Sequence, residues 1–155
     1  LPDSAEDKGG LARPADALLI DAVRLEIWQV NGHGRYHHPD DDSDLPVDPN
    51  FQGFGSTVSD AGGAYRFRTV RPLPYPGRAP HVHFAVKVPG QQTFYTQMYL
   101  RGAPENATDF LLNGIEDRRA RQSLVVRLEP SPNPGSALLG RFDIVLGITP
   151  ANGKP

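Results

Sequence analysis

His81 and His83 stand two positions apart at the head of an alternating apolar segment, and the proline-rich residues just before them include Tyr75 and Arg78. On an extended strand, side chains two positions apart leave the same face, with Cα atoms roughly 6 to 7 Å apart, so both imidazoles can meet one ion. Alone, a His-x-His pair is as compatible with packed or surface histidine as with a metal site. Tyr75 adds to it. It sits between Pro74 and Pro76, and a residue that precedes proline is held extended, so its phenol is placed with little entropy left to lose. The same clamp also suits a structural tyrosine packed on prolines. A second phenol, Tyr36, lies in the loop Asn31-Gly32-His33-Gly34-Arg35-Tyr36, which is rich in turn-forming residues.

The elements that must position these groups read as β-strands. Residues 18–29 alternate Val23, Leu25 and Ile27 with Arg24, Glu26 and Trp28. Asp60-Ala61-Gly62-Gly63 has hairpin-turn chemistry between residues 56–59 and 64–71, where Tyr65 and Phe67 alternate with Arg66 and Arg68. In the next strand Val82, Phe84, Val86 and Val88 share one face, and His81, His83, Ala85 and Lys87 the other. If the apolar face packs into a core, the histidines point toward the loops that carry Tyr36 and Tyr75. Further strands are expected at 93–100, 123–128 and 141–148, and residues 109–122 hold at most one short helix, interrupted by Asn113-Gly114. The expected fold is an all-β antiparallel sandwich with long loops, one domain over 1–155 with an atypical start at 1–17.

Composition removes several classes of function. With no cysteine among 155 residues, thiolate zinc sites, iron-sulfur clusters, thiol nucleophiles and disulfides are excluded. The net charge is -2 and the basic residues are dispersed rather than striped, so neither a nucleic-acid nor a membrane partner is expected. No apolar run approaches the roughly 20 residues needed to span a bilayer. No phosphate loop or Ser-His-Asp order stands out. The chain opens at Leu1 rather than methionine, which suggests a mature or trimmed form. A cytoplasmic location is favoured, with an exported form left open. The aspartates at 40, 41, 42 and 44 lack the ligand spacing of a calcium loop and read as a solvated loop. His33, His37 and His38 read as loop or rim residues, and Trp28 as packing.

Taken in order, several motifs resemble one family. Glu26-Ile27-Trp28-Gln29, then Gly34-Arg35-Tyr36, Asp48-Pro49-Asn50-Phe51, Phe67-Arg68-Thr69, Pro74-Tyr75-Pro76 and Arg78-Ala79-Pro80-His81-Val82-His83-Phe84 are similar to the intradiol ring-cleavage dioxygenases, and Phe142-Asp143-Ile144-Val145-Leu146 extends the likeness. The resemblance implies a non-haem ferric ion, Fe(III), held by Tyr36, Tyr75, His81 and His83. It implies that Tyr36 also acts as a base toward a catecholic substrate, that Arg78 stabilises developing negative charge, and that Gln97 lies beside the site. It implies cleavage by O2 to a muconate-type diacid without external reductant, in a chain open to forming a homo-oligomer. Elementary chemistry agrees with that ligand set. A trivalent hard cation favours anionic oxygen, and a phenol of ordinary pKa about 10 ionises near neutral pH only beside such a charge.

The chain departs from the family in a short connection between Tyr75 and Arg78, and the sequence before Leu18 is expected to differ from the helical N-terminal segment of the catechol branch, so substrate specificity does not transfer. Two rival readings follow from the residues. One is an inactive β-sandwich module that binds aromatic or carbohydrate ligands. The other is a zinc hydrolase on His81 and His83, which would need a carboxylate or third histidine as ligand. For Arg78 the rival is a plain ion pair with one of the aspartates.

Overall fold

A computed structural model describes residues 19–132 and 137–152. The expected atypical start at 1–17, and Leu18 at the head of the first expected strand, lie outside the described residues. Seven strands follow in chain order: β1 Arg24–Trp28, β2 Phe54–Val58, β3 His81–Lys87, β4 Phe94–Leu100, β5 Val125–Val126, β6 Leu128–Pro130 and β7 Leu138–Gly140. The first five form one sheet in the order β2-β1-β3-β4-β5, and β6 pairs with β7. All pairings are antiparallel except β4 with β5, a parallel edge that the expected antiparallel sandwich did not include.

β3 occupies the centre of the sheet, and His81 to Val86 are buried on both faces. Its period of two therefore separates two environments. Val82, Phe84 and Val86, with Leu25 and Ile27 from β1, face the apolar core. The opposite layer is built from Tyr65, Phe67, Phe142, Ile144 and Leu146. Phe84 sits at the centre of this contact, with ring centroids 5.1 Å from Phe142, 6.1 Å from Tyr65 and 6.2 Å from Phe67. The Tyr65 hydroxyl donates to the Phe142 carbonyl at 2.6 Å, which ties the two halves of that layer together.

The alternation in 64–71 and 141–148 was expected to mark ladder strands, yet neither segment forms one. The turn between residues 56–59 and 64–71 does form: the Asp60 amide donates to the Ala64 carbonyl and the Asp60 carboxylate accepts from Gly62 and Ala64. Beyond it the chain runs over the sheet face instead of along its edge. Each buried ring contributes about 1.5 to 3 kcal/mol, against about 0.5 to 1.5 kcal/mol net for each ladder hydrogen bond. Side-chain burial thus sets the position of these segments while leaving their backbone irregular.

The single short helix expected in 109–122 is instead two, α1 Phe110–Asn113 and α2 Arg118–Ser123, preceded by a 3-10 turn at Pro104–Ala107. Asp109 caps the first through Leu111 and Leu112, and Asp117 caps the second through Arg119 and Ala120. The break at Asn113-Gly114 ends one helix, and the second aspartate starts another. The strand expected at 123–128 is likewise divided at Arg127 into β5 and β6. No helix among the described residues is long and apolar enough to cross a membrane.

Phe84→Ala should lower stability by about 3–5 kcal/mol, seen as a lower urea midpoint at unchanged slope. Val58→Ala, on an exposed position of β2, should stay within about 0.5 kcal/mol of the parent. Equal effects of the two would show that the aromatic contact does not hold the layers.

Candidate metal centre

On the face of β3 away from the apolar core, His81 is 2 % and His83 9 % exposed. Register fixes their neighbours. Trp28 of β1 and Gln97 of β4 flank His83, and Tyr99 of β4 lies opposite His81. The Trp28 ring stacks on the His83 ring at 4.8 Å with planes 6° apart, so the expected packing role is real but its object is the imidazole. The Ala79 carbonyl accepts from His81 Nδ1 at 2.6 Å, which leaves Nε2 as the atom with a free lone pair.

The two loops bring in the phenols. Tyr75 and Arg78 close a tight turn, with the Arg78 amide donating to the Tyr75 carbonyl at 2.8 Å and the Tyr75 amide returning at 3.3 Å. Gly77 within it has φ +79°, a conformation that costs glycine nothing. Tyr36 is held from its own loop. The Asn31 carboxamide oxygen accepts from the amides of His33 and Arg35, the Arg35 guanidinium donates to the carbonyls of Leu45 and Asp41, and the Tyr36 amide donates to the Asp41 carboxylate at 2.7 Å. Asp41 therefore has a structural task within the acidic loop. Its partners Ser43 and Tyr36 hold its carboxyl below the ordinary range against the smaller opposing effect of burial.

Four atoms converge. Tyr36 Oη lies 3.0 Å from His83 Nε2, 3.2 Å from Tyr75 Oη and 3.4 Å from His81 Nε2. Tyr75 Oη lies 3.4 Å from His81 Nε2, and the two Nε2 atoms are 3.2 Å apart. These are the spacings of donors that share one centre: atoms about 2.0–2.1 Å from a common ion, at tetrahedral to right angles, are about 2.9–3.4 Å from each other. Hydrogen bonding alone does not satisfy the cluster. Burial foremost, with help from Arg78, lowers His81 to about 4, and burial, His81 and Arg78 lower His83 to about 3, so both imidazoles are neutral near neutral pH. The five contacts have too few protons between them, and the His83 Nδ1 atom has no partner among the described residues. Burial, reinforced by Tyr75, raises the Tyr36 phenol well above its ordinary range. A bound cation fits this donor set. His33, His37 and His38 are exposed and stand apart from it, as expected.

Arg78 forms the expected rival ion pair and also lies beside the cluster. Its Nε donates to Asp109 Oδ2 at 2.9 Å in a pair that is 8 % and 0 % exposed, while its Nη1 reaches Tyr75 Oη at 3.4 Å. Burial would raise the Asp109 carboxyl, but amide donors from Leu112 and Ala79 and the guanidinium together hold it below its ordinary value. Gln97 is fully buried, and its Oε1 accepts from Arg78 Nη2 and from the Tyr99 hydroxyl. Asn152 in turn donates to the Tyr99 hydroxyl at 3.0 Å. Asp109, Tyr99 and Asn152 were not anticipated as parts of the site. The short helix expected from residue 109 placed Asp109 at a helix start, but its contact to an arginine 31 residues away carries no local signal.

A family model described as dioxygenase matches residues 17–147. The chain belongs to the intradiol dioxygenase family. It is 39% identical over 150 residues to the protocatechuate 3,4-dioxygenase beta chain of Burkholderia cepacia, covering 90% of this chain and 60% of that one. It is 30% identical over 125 residues to the chlorocatechol 1,2-dioxygenase of Cupriavidus pinatubonensis strain JMP 134, covering 69% and 47%. Among solved structures, the dioxygenase domain of a dioxygenase carbohydrate-binding protein fusion from Streptomyces sp. SirexAA-E aligns with TM-score 0.59 and 29% identity, over 83% of this chain and 70% of that one. The chain thus spans less than two thirds of the length of these curated relatives. No group of three histidine, cysteine or acidic residues placed to hold a metal occurs among the described residues, so the zinc-hydrolase reading lacks its third ligand.

Asp109→Asn keeps the helix cap but leaves Arg78 as a buried charge without its counter-ion. Urea unfolding should show a loss of about 3–5 kcal/mol. A loss under about 1 kcal/mol would show that the pair does not hold this corner of the site.

Proposed function

We propose that this dioxygenase cleaves the ring of a catecholic compound between its two hydroxylated carbons, using dioxygen and a ferric ion held by Tyr36, Tyr75, His81 and His83, to give a cis,cis-muconate-type diacid. The five contacts of 3.0–3.4 Å that link two phenol oxygens and two imidazole nitrogens are the observation that carries this reading. A ferric ion held by these residues would supply the positive charge that ionises phenols and would activate a catecholic substrate toward dioxygen. The bond broken joins the two hydroxylated carbons, both atoms of dioxygen enter the product, and the substrate is the reductant.

The chain's own residues have defined tasks. The Tyr36 oxygen, ionised when the ferric ion is held, would take a proton from the substrate hydroxyl. Trp28 and the Ala79 carbonyl hold the imidazole planes so that both Nε2 atoms face the same point. Arg78, fixed by Asp109 and Gln97, aims Nη1 at the cluster and stabilises negative charge on substrate oxygen. Relatives named for protocatechuate, catechol, chlorocatechol and hydroxyquinol all align, so the proposal extends to the catechol class and not to one member.

Colour is the first test. Iron-loaded protein should show a visible tyrosinate-to-iron charge-transfer band, and incubation with catechol, protocatechuate or hydroxyquinol should yield a ring-opened diacid. A colourless, inactive protein after iron loading would favour the binding-module reading instead. Tyr75→Phe should bleach or shift the band, and His81→Ala should remove most of the bound iron by metal analysis. Full iron retention in His81→Ala would show that the ligand set is wrong.

A further inference from the structure

A cavity of about 340 Å³ is lined by Arg71, Leu100, Arg101, Arg127, Leu128 and Leu138. None of its lining residues is one of the four groups of the metal cluster, Arg78 or Gln97. The residues come from separate parts of the chain: the end of the 64–71 segment, the end of β4 and the turn after it, the join between β5 and β6, and the start of β7. The basic residues are dispersed along the sequence, and the fold gathers three of them here. Among the described residues no carboxylate lies within ion-pairing distance of Arg71 or Arg101. Arg127 has only Glu129, at 3.8 Å, with both side chains 65% exposed, a contact of small energetic weight.

We infer that this cavity binds a small organic dicarboxylate. Three arginines line one cavity in a chain of net charge -2, so positive charge is gathered locally rather than being a property of the whole surface. Like charges placed together repel, and an anion between them relieves that repulsion. Guanidinium is planar and pairs bidentately with a carboxylate, which gives three such groups the capacity to hold two carboxylates. The remaining lining is leucine, with Leu100 fully buried. A hydrocarbon spacer covers that apolar floor, whereas inorganic phosphate leaves it wet. The volume lies at the lower end of the range for small-molecule sites, about 300–1,000 Å³. Nucleic acid fits less well, because affinity for a phosphate backbone comes from an extended track of cations, typically about 6–10 contacts, and not from three arginines at one place. The inference stands independently of the ring-cleavage reading.

Adipate is a suitable probe, with hexanoate as the single-carboxylate control and inorganic phosphate as the compact anion. In calorimetric titration of the iron-loaded full chain at low salt, adipate should bind with Kd below about 1 mM, and hexanoate and phosphate at least about ten-fold more weakly. Arg71→Ala and Arg101→Ala, both at exposed positions, should each weaken adipate about ten-fold while leaving thermal unfolding and ring cleavage unchanged. His81→Ala should leave adipate affinity unchanged. Three results would overturn the inference: no heat with adipate at about 10 mM, phosphate binding as tightly as adipate, or adipate affinity that survives in an Arg71→Ala, Arg101→Ala double variant. Loss of binding in His81→Ala would place the ligand on the metal cluster and overturn it equally.

Discussion

Four lone-pair-bearing atoms linked by five contacts of 3.0–3.4 Å, and largely cut off from water, form an arrangement that the protein must support from every side. Neutral imidazoles and phenols with too few shared protons repel through their lone pairs unless a positive charge lies among them. A cation removes that conflict, and the donor types, two hard oxygens and two nitrogens without a thiolate, suit a hard ion. Much of the fold on this side of the sheet consists of devices that stop these groups from moving apart.

Those devices are of different physical kinds. β3 contributes both histidines on a strand buried on both faces, so the Phe84 layer behind it fixes the backbone that carries them. Trp28 fixes His83 by stacking, and the Ala79 carbonyl fixes His81 by a hydrogen bond. Tyr75 is held by two prolines and a closed turn, and Tyr36 by a loop whose amides and guanidinium are bound to Asn31, Asp41 and Leu45. Even the entry to the proline-rich segment is secured. Gln29, buried at the end of β1, donates to the Val70 carbonyl and accepts from Thr69. Arg78 belongs to a separate buried network of Asp109, Gln97, Tyr99 and Asn152, which orients a cation toward the cluster without neutralising it through a ligand.

Much of this was legible from residue order, because the relevant signals are local. Alternation separated His81 and His83 from Val82, Phe84 and Val86, and the prolines marked Tyr75 as rigid. The same alternation misled where burial and ladder formation parted company. Tyr65, Phe67, Phe142 and Ile144 do face the core as their spacing predicts, yet their segments pair with no strand, since period-two burial needs only an extended chain. Residues 109–122 failed for another reason. A helix-breaking Asn113-Gly114 was visible, but the second cap at Asp117 turned one interrupted helix into two.

Residue types, their period and the motif order determined the family, the all-β class and, through the family resemblance, the groups that could share an ion, because strand period is local and motif order is read along the chain. Tertiary structure alone decided which carboxylate holds Arg78, which ring steadies His83, and that Arg71, Arg101 and Arg127 line one cavity. Those are contacts between residues tens of positions apart in the chain. They depend on sheet register and on the path of irregular loops, for which no local rule of spacing exists.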